Sequence, residues 1–443
     1  MFFFSTKPRF MALISPTRKY LQLLSALILL LHSLYGCKSL PHKKLHLTID
    51  QALASEGNNN YFQGVFIYDP QKKDTLYQHN SQKYFTPASN TKIFTLFASL
   101  KTLPNNIPAL KYVVLGDTLY MEGTGDPTLL HHYYNDSTAL KFAAGYPNIA
   151  LHLNNFQETK FGPGWAWDDY DRNYSPERSG LPLYGNTLSV YQTDTIVASP
   201  SFFSPKIISQ KQATRRALTE NLFYVAPNRK DTLEIPFLVD SLVIQNLLEK
   251  ALHKKLSLVP KMPASEKRTI YSIPSDSLYT RMMYESDNFI AEQLLILASS
   301  TLSDTLSSAK ARNHVLDTYL KEMPQSPRWV DGSGLSRYNL FSPESIVFVL
   351  NKMYQEIPQE RLLGYFPIGG ISGTLKDSYP GKNSPYIYAK SGSLGNNYCL
   401  SGYLLTNSGK TLIFSFMNNH FKKSSKEVKE QMQEIFEWLR DNY

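Results

Sequence analysis

The chain has 443 residues, with 46 Lys+Arg against 37 Asp+Glu and only two cysteines. Its 42% apolar and 19% charged content excludes a disordered chain and a multi-span membrane protein. Two cysteines exclude a disulfide scaffold or a cysteine-rich metal cluster, and the net +9 forms no basic stripe of the kind that binds nucleic acid.

Residues 1–36 contain Lys7, Arg9, Arg18 and Lys19, no acidic residue, and an apolar run over 21–31. That run is shorter than the roughly 20 apolar residues a membrane span needs, so it reads as an export signal. Leu34-Tyr35-Gly36-Cys37 resembles a bacterial lipoprotein cleavage box, which makes Cys37 the expected lipidation site and Met11 an alternative start. Ordinary signal cleavage beside a free cysteine is the plainer alternative. Four basic residues leave with 1–36, which lowers the net charge to +5. Cys399, inside the apolar YCLSGYLL, is then expected to fill core space.

Residues 38–60 suit a tether with a short helix. Strands are expected over 61–68 and 74–80 around an Asp-Pro turn, followed by a helix over 89–103. From about 111 to 265 the chain is β-like and rich in glycine, proline and aromatic residues, as in 111–125, 148–156 and 188–199. Helical periodicity returns over 278–299 and 342–354. Three strands follow at 386–394, 398–406 and 411–419, then an amphipathic helix over 425–439 with Val428, Met432, Ile435, Phe436 and Leu439 on one face. Helix-bearing ends around a β-rich middle make an α+β chain whose last strands are antiparallel neighbours.

Ser89 sits in the first turn of the helix after Pro87, and Lys92, three residues on, shares its face. A serine hydroxyl needs an adjacent base, and a lysine serves once a semi-buried, positive site lowers its pKa. Residues 307–310 repeat the Ser-x-x-Lys spacing. Only the Ser89 copy is followed by Ser286-Asp287-Asn288 at a helix start and Lys390-Ser391-Gly392 on a strand. That ordered set is the motif series of serine penicillin-binding proteins and β-lactamases.

The chain resembles the low-molecular-mass class C penicillin-binding proteins, D-alanyl-D-alanine carboxypeptidases/endopeptidases of the S13 peptidase type. The resemblance rests on TPASNTKIFT (86–95), EGTGDPTLL (122–130), GPGWAWDDY (162–170), LPLYGNTLSV (181–190), ESDNFIAEQLL (285–295), DGSGLSRYNLFSPES (331–345), GGISGTL (369–375) and AKSGSLGNNYCLSGY (389–403). It implies a transpeptidase-like domain, an antiparallel sheet flanked by helices, made from 37–110 and 266–443. A β-rich insertion, 111–265, lies within the 197-residue interval from Ser89 to Ser286.

By the same resemblance, Ser89 attacks a D-Ala-D-Ala type peptide bond in a peptidoglycan stem peptide and Lys92 is the acylation base. Ser286 and Asn288 belong to the proton-shuttle and substrate network. Lys390 sits beside Ser286 and the substrate carboxylate, which Ser391 binds. The N–H groups of Ser89 and Ser393, across Gly392, form the oxyanion hole, and β-lactams trap the same serine. Asp126 either lines the cleft or anchors the turn before Pro127. Asp331 and Arg337 are expected to organise a loop near the site, and Trp165 and Trp167 to pack as an aromatic cluster. No cofactor or metal is implied: the histidines, His131-His132 included, lack metal-ligand spacing, and neither a dinucleotide fingerprint nor a phosphate-binding loop is present. A serine β-lactamase lacks its Glu-x-x-Leu-Asn segment here. An esterase and an inert peptidoglycan-binding lipoprotein are the remaining alternatives.

Overall fold

The computed structural model describes residues 39–54, 60–192 and 195–443, with residues 1, 2 and 5; the run 21–31 and Cys37 lie outside the described residues. Two compact units divide the chain, Met1–Ala54 and Ser55–Tyr443. The first contains α1 (Ser39–Leu53), the short helix expected there. No helix among the described residues is long and apolar enough to cross a membrane.

The second unit opens with the hairpin β1 (Phe62–Asp69) and β2 (Asp74–His79). A tight turn, Ala88–Asn90, leads into α2 (Thr91–Thr102). The chain then leaves through β3 (Asn106–Leu115) and builds a mixed five-stranded sheet. Its other strands are β4 (Thr118–Gly123), β5 (Asn148–His152), β11 (Ser257–Leu258) and β12 (Arg268–Pro274), with α3 (Thr138–Ala144) between β4 and β5. Smaller sheets pair β6 (Thr187–Gln192), β7 (Ile196–Ser199) and β10 (Leu233–Pro236), and β8 (Ile207–Ser209) with β9 (Phe223–Val225). The helix α4 (Ser241–Leu252), capped by Asp240, shares their hydrophobic core with Leu119, Leu151, Leu188, Phe203 and Ile235. β12 returns antiparallel to β3, pairing Pro274 with Asn106, so the chain re-enters where it left.

Past β12 run α5 (Ser275–Tyr284), α6 (Asn288–Ser300), α7 (Ser308–Tyr319), α8 (Pro343–Glu356) and α9 (Gln359–Gly364). The single helical run expected over 278–299 is thus two helices. Ser286 at φ 55° breaks the ladder between them, and Asp287 caps α6 by accepting from Ile290 N.

The strands β13 (Ile387–Leu394), β14 (Asn397–Leu405) and β15 (Thr411–Asn419) then join β1 and β2 in an antiparallel sheet ordered β13-β14-β15-β1-β2. β14 and β15 are buried almost throughout because helices cover both faces. Cys399, Tyr403, Ile413 and Met417 pack with residues of α2, α6 and α8. The next residues along, Phe414 and Phe416, meet Phe436 of α10 (Ser425–Asn442) at ring distances of 4.6 and 5.2 Å. Truncating Phe436 to alanine there costs about 3–5 kcal/mol. Ser424 and Glu427 close a capping box that starts α10. The fold is α+β: an antiparallel sheet between helices, with the mixed sheet formed between α2 and α5.

Candidate active site

Ser89 lies half-buried in the turn before α2, approached closely by the loop at Gly334 and by β13 at Gly392. Ala88, just before it, is held at φ 48°, a left-handed conformation that a non-glycine residue adopts at a cost. A Cβ on Gly334 would sit 1.9 Å from the Ala88 carbonyl oxygen, and one on Gly392 would sit 2.6 Å from the Pro87 carbonyl oxygen. Only hydrogen fits at either position. The side chain of Asn90, fully buried, donates to the Lys390 carbonyl at 3.0 Å and so ties this turn to edge strand β13.

Lys92, the second residue of α2 and one turn past Ser89, is completely buried. Its Nζ donates to Ser89 Oγ (3.1 Å), to Asn288 Oδ1 (2.7 Å) and to the Ser333 carbonyl (2.7 Å). Burial pulls its pKa down to about 8, against an upward pull from Asp331, Asp287 and Glu292. Asn288 in turn donates Nδ2 to the Tyr174 carbonyl at 2.9 Å, which fixes which end of its amide faces Lys92.

On the other side, Lys390 Nζ donates to Ser286 Oγ (3.0 Å) and to the Ser391 carbonyl (2.6 Å). Burial first, and the neighbouring Lys92 second, hold its pKa well below the usual lysine value. Ser391 Oγ donates to Thr374 Oγ1 at 2.7 Å, and Ser393 is exposed at the end of β13. Ser89, Lys92, Ser286, Asn288 and Lys390 are therefore brought together from three distant stretches of chain.

Asp126 bonds elsewhere: it is buried, its Oδ1 accepts from Thr128 N at 2.8 Å and its Oδ2 from Ser272 Oγ at 3.2 Å. Desolvation raises its pKa to about 6. The second Ser-x-x-Lys copy is taken up structurally, since Ser307 and Ser308 both donate to Glu158. Asp331 organises its loop as expected, accepting from Gly334 N, Ser336 N, Asn339 Nδ2 and Trp165 Nε1 at 2.6–3.0 Å. Arg337 points to solvent. Trp165 packs against that loop, but Trp167, expected beside it in a cluster, is 77% exposed. No group of His, Cys, Asp and Glu suited to a metal ion occurs among the described residues.

Sequence reasoning missed the Ser333 carbonyl, Asn90, Thr374 and the buried pair Glu292 and Arg178. Glu292 had a readable signal. It is the one charged residue inside the apolar FIAEQLLILA, four positions after Asn288 and hence on its face.

A serine hydroxyl at a buried lysine, flanked by a Ser-x-Asn helix start and a Lys-Ser-Gly strand on this α+β fold, is the arrangement of a serine-type peptidase of the penicillin-binding class. The chain belongs to the D-Ala-D-Ala carboxypeptidase 3 (S13) family, whose model matches residues 45–441. It is similar to penicillin-sensitive carboxypeptidase A of Dictyostelium discoideum, with 23% identity over 419 residues, 77% of this chain and 78% of the relative. It is also similar to the D-alanyl-D-alanine carboxypeptidase DacB of Haemophilus influenzae, with 29% identity over 39% of this chain and 37% of the relative. The crystal structure of penicillin binding protein 4 (dacB) from Haemophilus influenzae shares the fold, with a TM-score of 0.67 and 19% identity over 88% of this chain and 98% of that one.

Proposed function

We propose that the enzyme hydrolyses D-Ala-D-Ala type bonds of peptidoglycan stem peptides, as a carboxypeptidase and as an endopeptidase, through an acyl-enzyme on Ser89. The observation that carries this reading is the 3.1 Å contact between Ser89 Oγ and the buried amine of Lys92. Neutral Lys92 takes the hydroxyl proton while Ser89 Oγ bonds the scissile carbonyl carbon. The N–H groups of Ser89 and Ser393 receive the oxyanion, a type of contact worth about 3–4 kcal/mol in a comparable hydrolase. As the C–N bond breaks, the proton passes through Ser286 to the leaving amine, with Asn288 and Lys390 holding the network. Ser391, beside Gly392, binds the substrate carboxylate, and that carboxylate favours the protonated form of Lys390. Water then cleaves the ester and restores Ser89.

The relative's description as penicillin-sensitive supports covalent capture of β-lactams at the same serine. The hydrophobic core shared by the middle strands supports treating 111–265 as a domain inserted between 37–110 and 266–443. Residues 1–36 are read as a lipoprotein signal, with Cys37 lipidated, the protein in the cell envelope and anchored to a membrane. If Cys37→Ser leaves the membrane-fraction share unchanged, the anchor assignment fails.

Digestion of defined muropeptides, monomeric and cross-linked, followed by mass analysis, tests the activity. Loss of a terminal D-Ala marks the carboxypeptidase and conversion of dimers to monomers the endopeptidase. Intact substrates after long incubation with folded protein would sink the proposal.

A further inference from the structure

Two acceptors around Lys92 determine what its nitrogen can do. Ser333 O is a carbonyl, and Asn288 presents Oδ1 because its Nδ2 is engaged with Tyr174. Neither atom can donate a proton to Lys92. A neutral amine has two N–H bonds, and these two acceptors at 2.7 Å each use both. The remaining lone pair then faces the third neighbour, the Ser89 hydroxyl.

The Ser333 carbonyl is held by a carboxylate. Glu292, 1% exposed on α6, accepts from Ser333 N through Oε1 at 2.7 Å. Its Oε2 meets Arg178 Nη1 at 3.3 Å. Arg178, 3% exposed, also meets Glu158 Oε2 at 3.2 Å and donates to the Thr159 carbonyl at 2.9 Å. A charged pair this deep is not how a helix of Leu, Ile and Ala is best packed, since apolar side chains of similar volume serve stability as well or better. Its placement on the Ser333 amide is what a packing role leaves unexplained.

We propose that Glu292 is a positioning residue for Lys92: by accepting the Ser333 amide it fixes the Ser333 carbonyl that orients the amine, and so turns the Lys92 lone pair onto Ser89. This rests on the reading of Lys92 as the acylation base. The charged groups facing Glu292 are Arg178 and Glu158 from the segment before β6, Asp331 from the loop, Arg312 from α7 and Lys92 from α2. Burial first, and Asp331 second, raise the Glu292 pKa above the usual carboxylate value, while Arg178 and the Ser333 amide pull it back toward the ionised form. The carboxylate raises the pKa of Lys92, so neutralising it moves Lys92 further down.

The test compares wild type, Glu292→Gln, Glu292→Ala and Lys92→Ala in the full chain. The readouts are the second-order rate of labelling by a fluorescent penicillin between about pH 6 and about pH 10, and thermal unfolding of each protein. Glu292→Gln keeps an acceptor for Ser333 N and loses the charge. It should hold the plateau rate within about threefold while moving the acid-limb midpoint down by about half a pH unit or more. Glu292→Ala should lower the plateau by about tenfold or more. An unmoved midpoint in the glutamine variant together with a wild-type plateau in a folded alanine variant overturns the proposal, as does a rate loss that only follows loss of folding. If the alanine variant does not fold, the glutamine midpoint decides alone. Undiminished labelling of Lys92→Ala overturns the base reading itself, whereas an inert Lys92→Ala beside neutral Glu292 variants overturns this inference only.

Discussion

Lys390 Nζ donates to Ser286 Oγ across 3.0 Å and so links the edge strand β13 to the loop that starts α6. Ser286 reaches that amine from a backbone at φ 55°, in the turn between α5 and α6. Residues at sparsely populated φ/ψ persist only where surrounding structure holds them, here Asp287 capping α6 and Lys390 on the hydroxyl.

Two substitutions at Ser286 separate its backbone from its chemistry. Ser286→Ala and Ser286→Gly both remove the hydroxyl, and both should slow penicillin acylation by about 10²–10⁴-fold if it relays the proton. Glycine also relieves the left-handed strain, so its variant should be more stable than the alanine one by ~1 kcal/mol. Urea unfolding and labelling rates read the two effects independently. Wild-type labelling in either folded variant removes Ser286 from the relay.

Lys92 gives a pH dependence with a definite sign. As a base it must be neutral, so the acylation rate should rise with pH through a midpoint near the value of about 8 set by burial. Stability moves the same way. From about pH 8 to 10.5 the unfolded chain keeps this proton and the folded chain does not, so folding gains as pH rises across that window. Below about 8 both states are protonated and the folded state carries the full penalty, ~3 kcal/mol for a shift of this size. The stability difference between wild type and Lys92→Met should therefore grow in favour of wild type between those pH values. Lys390 titrates in the same direction, and less so without Lys92 beside it, which reinforces the sign. Urea titrations at both ends of the window measure it.

Most of the sheet and the three motifs were legible in the residues. Strand alternation and the apolar face of 425–439 are local patterns, and the structure follows them closely in β13, β14, β15 and α10. The helix start at Ser286-Asp287-Asn288 was legible from the motif, but the positive φ of Ser286 was not, because it is imposed by the cap and by Lys390. Nor was the Ser333 carbonyl, since a backbone acceptor has no side-chain signature and its direction depends on how Asp331 and Glu292 fold the loop. Trp167 looked like core by its chemistry, yet apolar side chains can lie on the surface and composition alone does not separate the two.

Gly334 should be among the positions least able to accept a methyl group. Its φ is +83°, and the added Cβ would lie 1.9 Å from the Ala88 carbonyl oxygen. The nearest atoms are the Ala88 backbone and then the hydroxyl of the fully buried Thr91, neither the far end of a flexible side chain, so Gly334→Ala must push the Ala88–Asn90 turn away from the loop. That separates Ser89 from Lys92, which is bonded to Ser333 in the same loop. We expect a loss of at least about 100-fold in acylation, as for misplacement of reacting groups by about 1 Å, with destabilisation of ~1–3 kcal/mol. A folded variant labelled at the wild-type rate would show that the turn tolerates the shift.

Asp126 offers a choice between two roles that one substitution resolves. Its carboxyl is raised from 3.8 to about 6, so between those values the folded state holds a proton that the unfolded state has lost. Stability therefore falls as pH rises through that window, and above it the ionised form is penalised by ~3 kcal/mol. Asp126→Asn keeps an oxygen for Thr128 N and cannot ionise. The variant should match wild type near pH 4 and exceed it at pH 7 by up to ~3 kcal/mol in urea unfolding. If Asp126 only anchors the turn before Pro127, muropeptide cleavage is unchanged. If it lines the cleft, KM rises while penicillin labelling, which needs no stem peptide, stays at the wild-type rate.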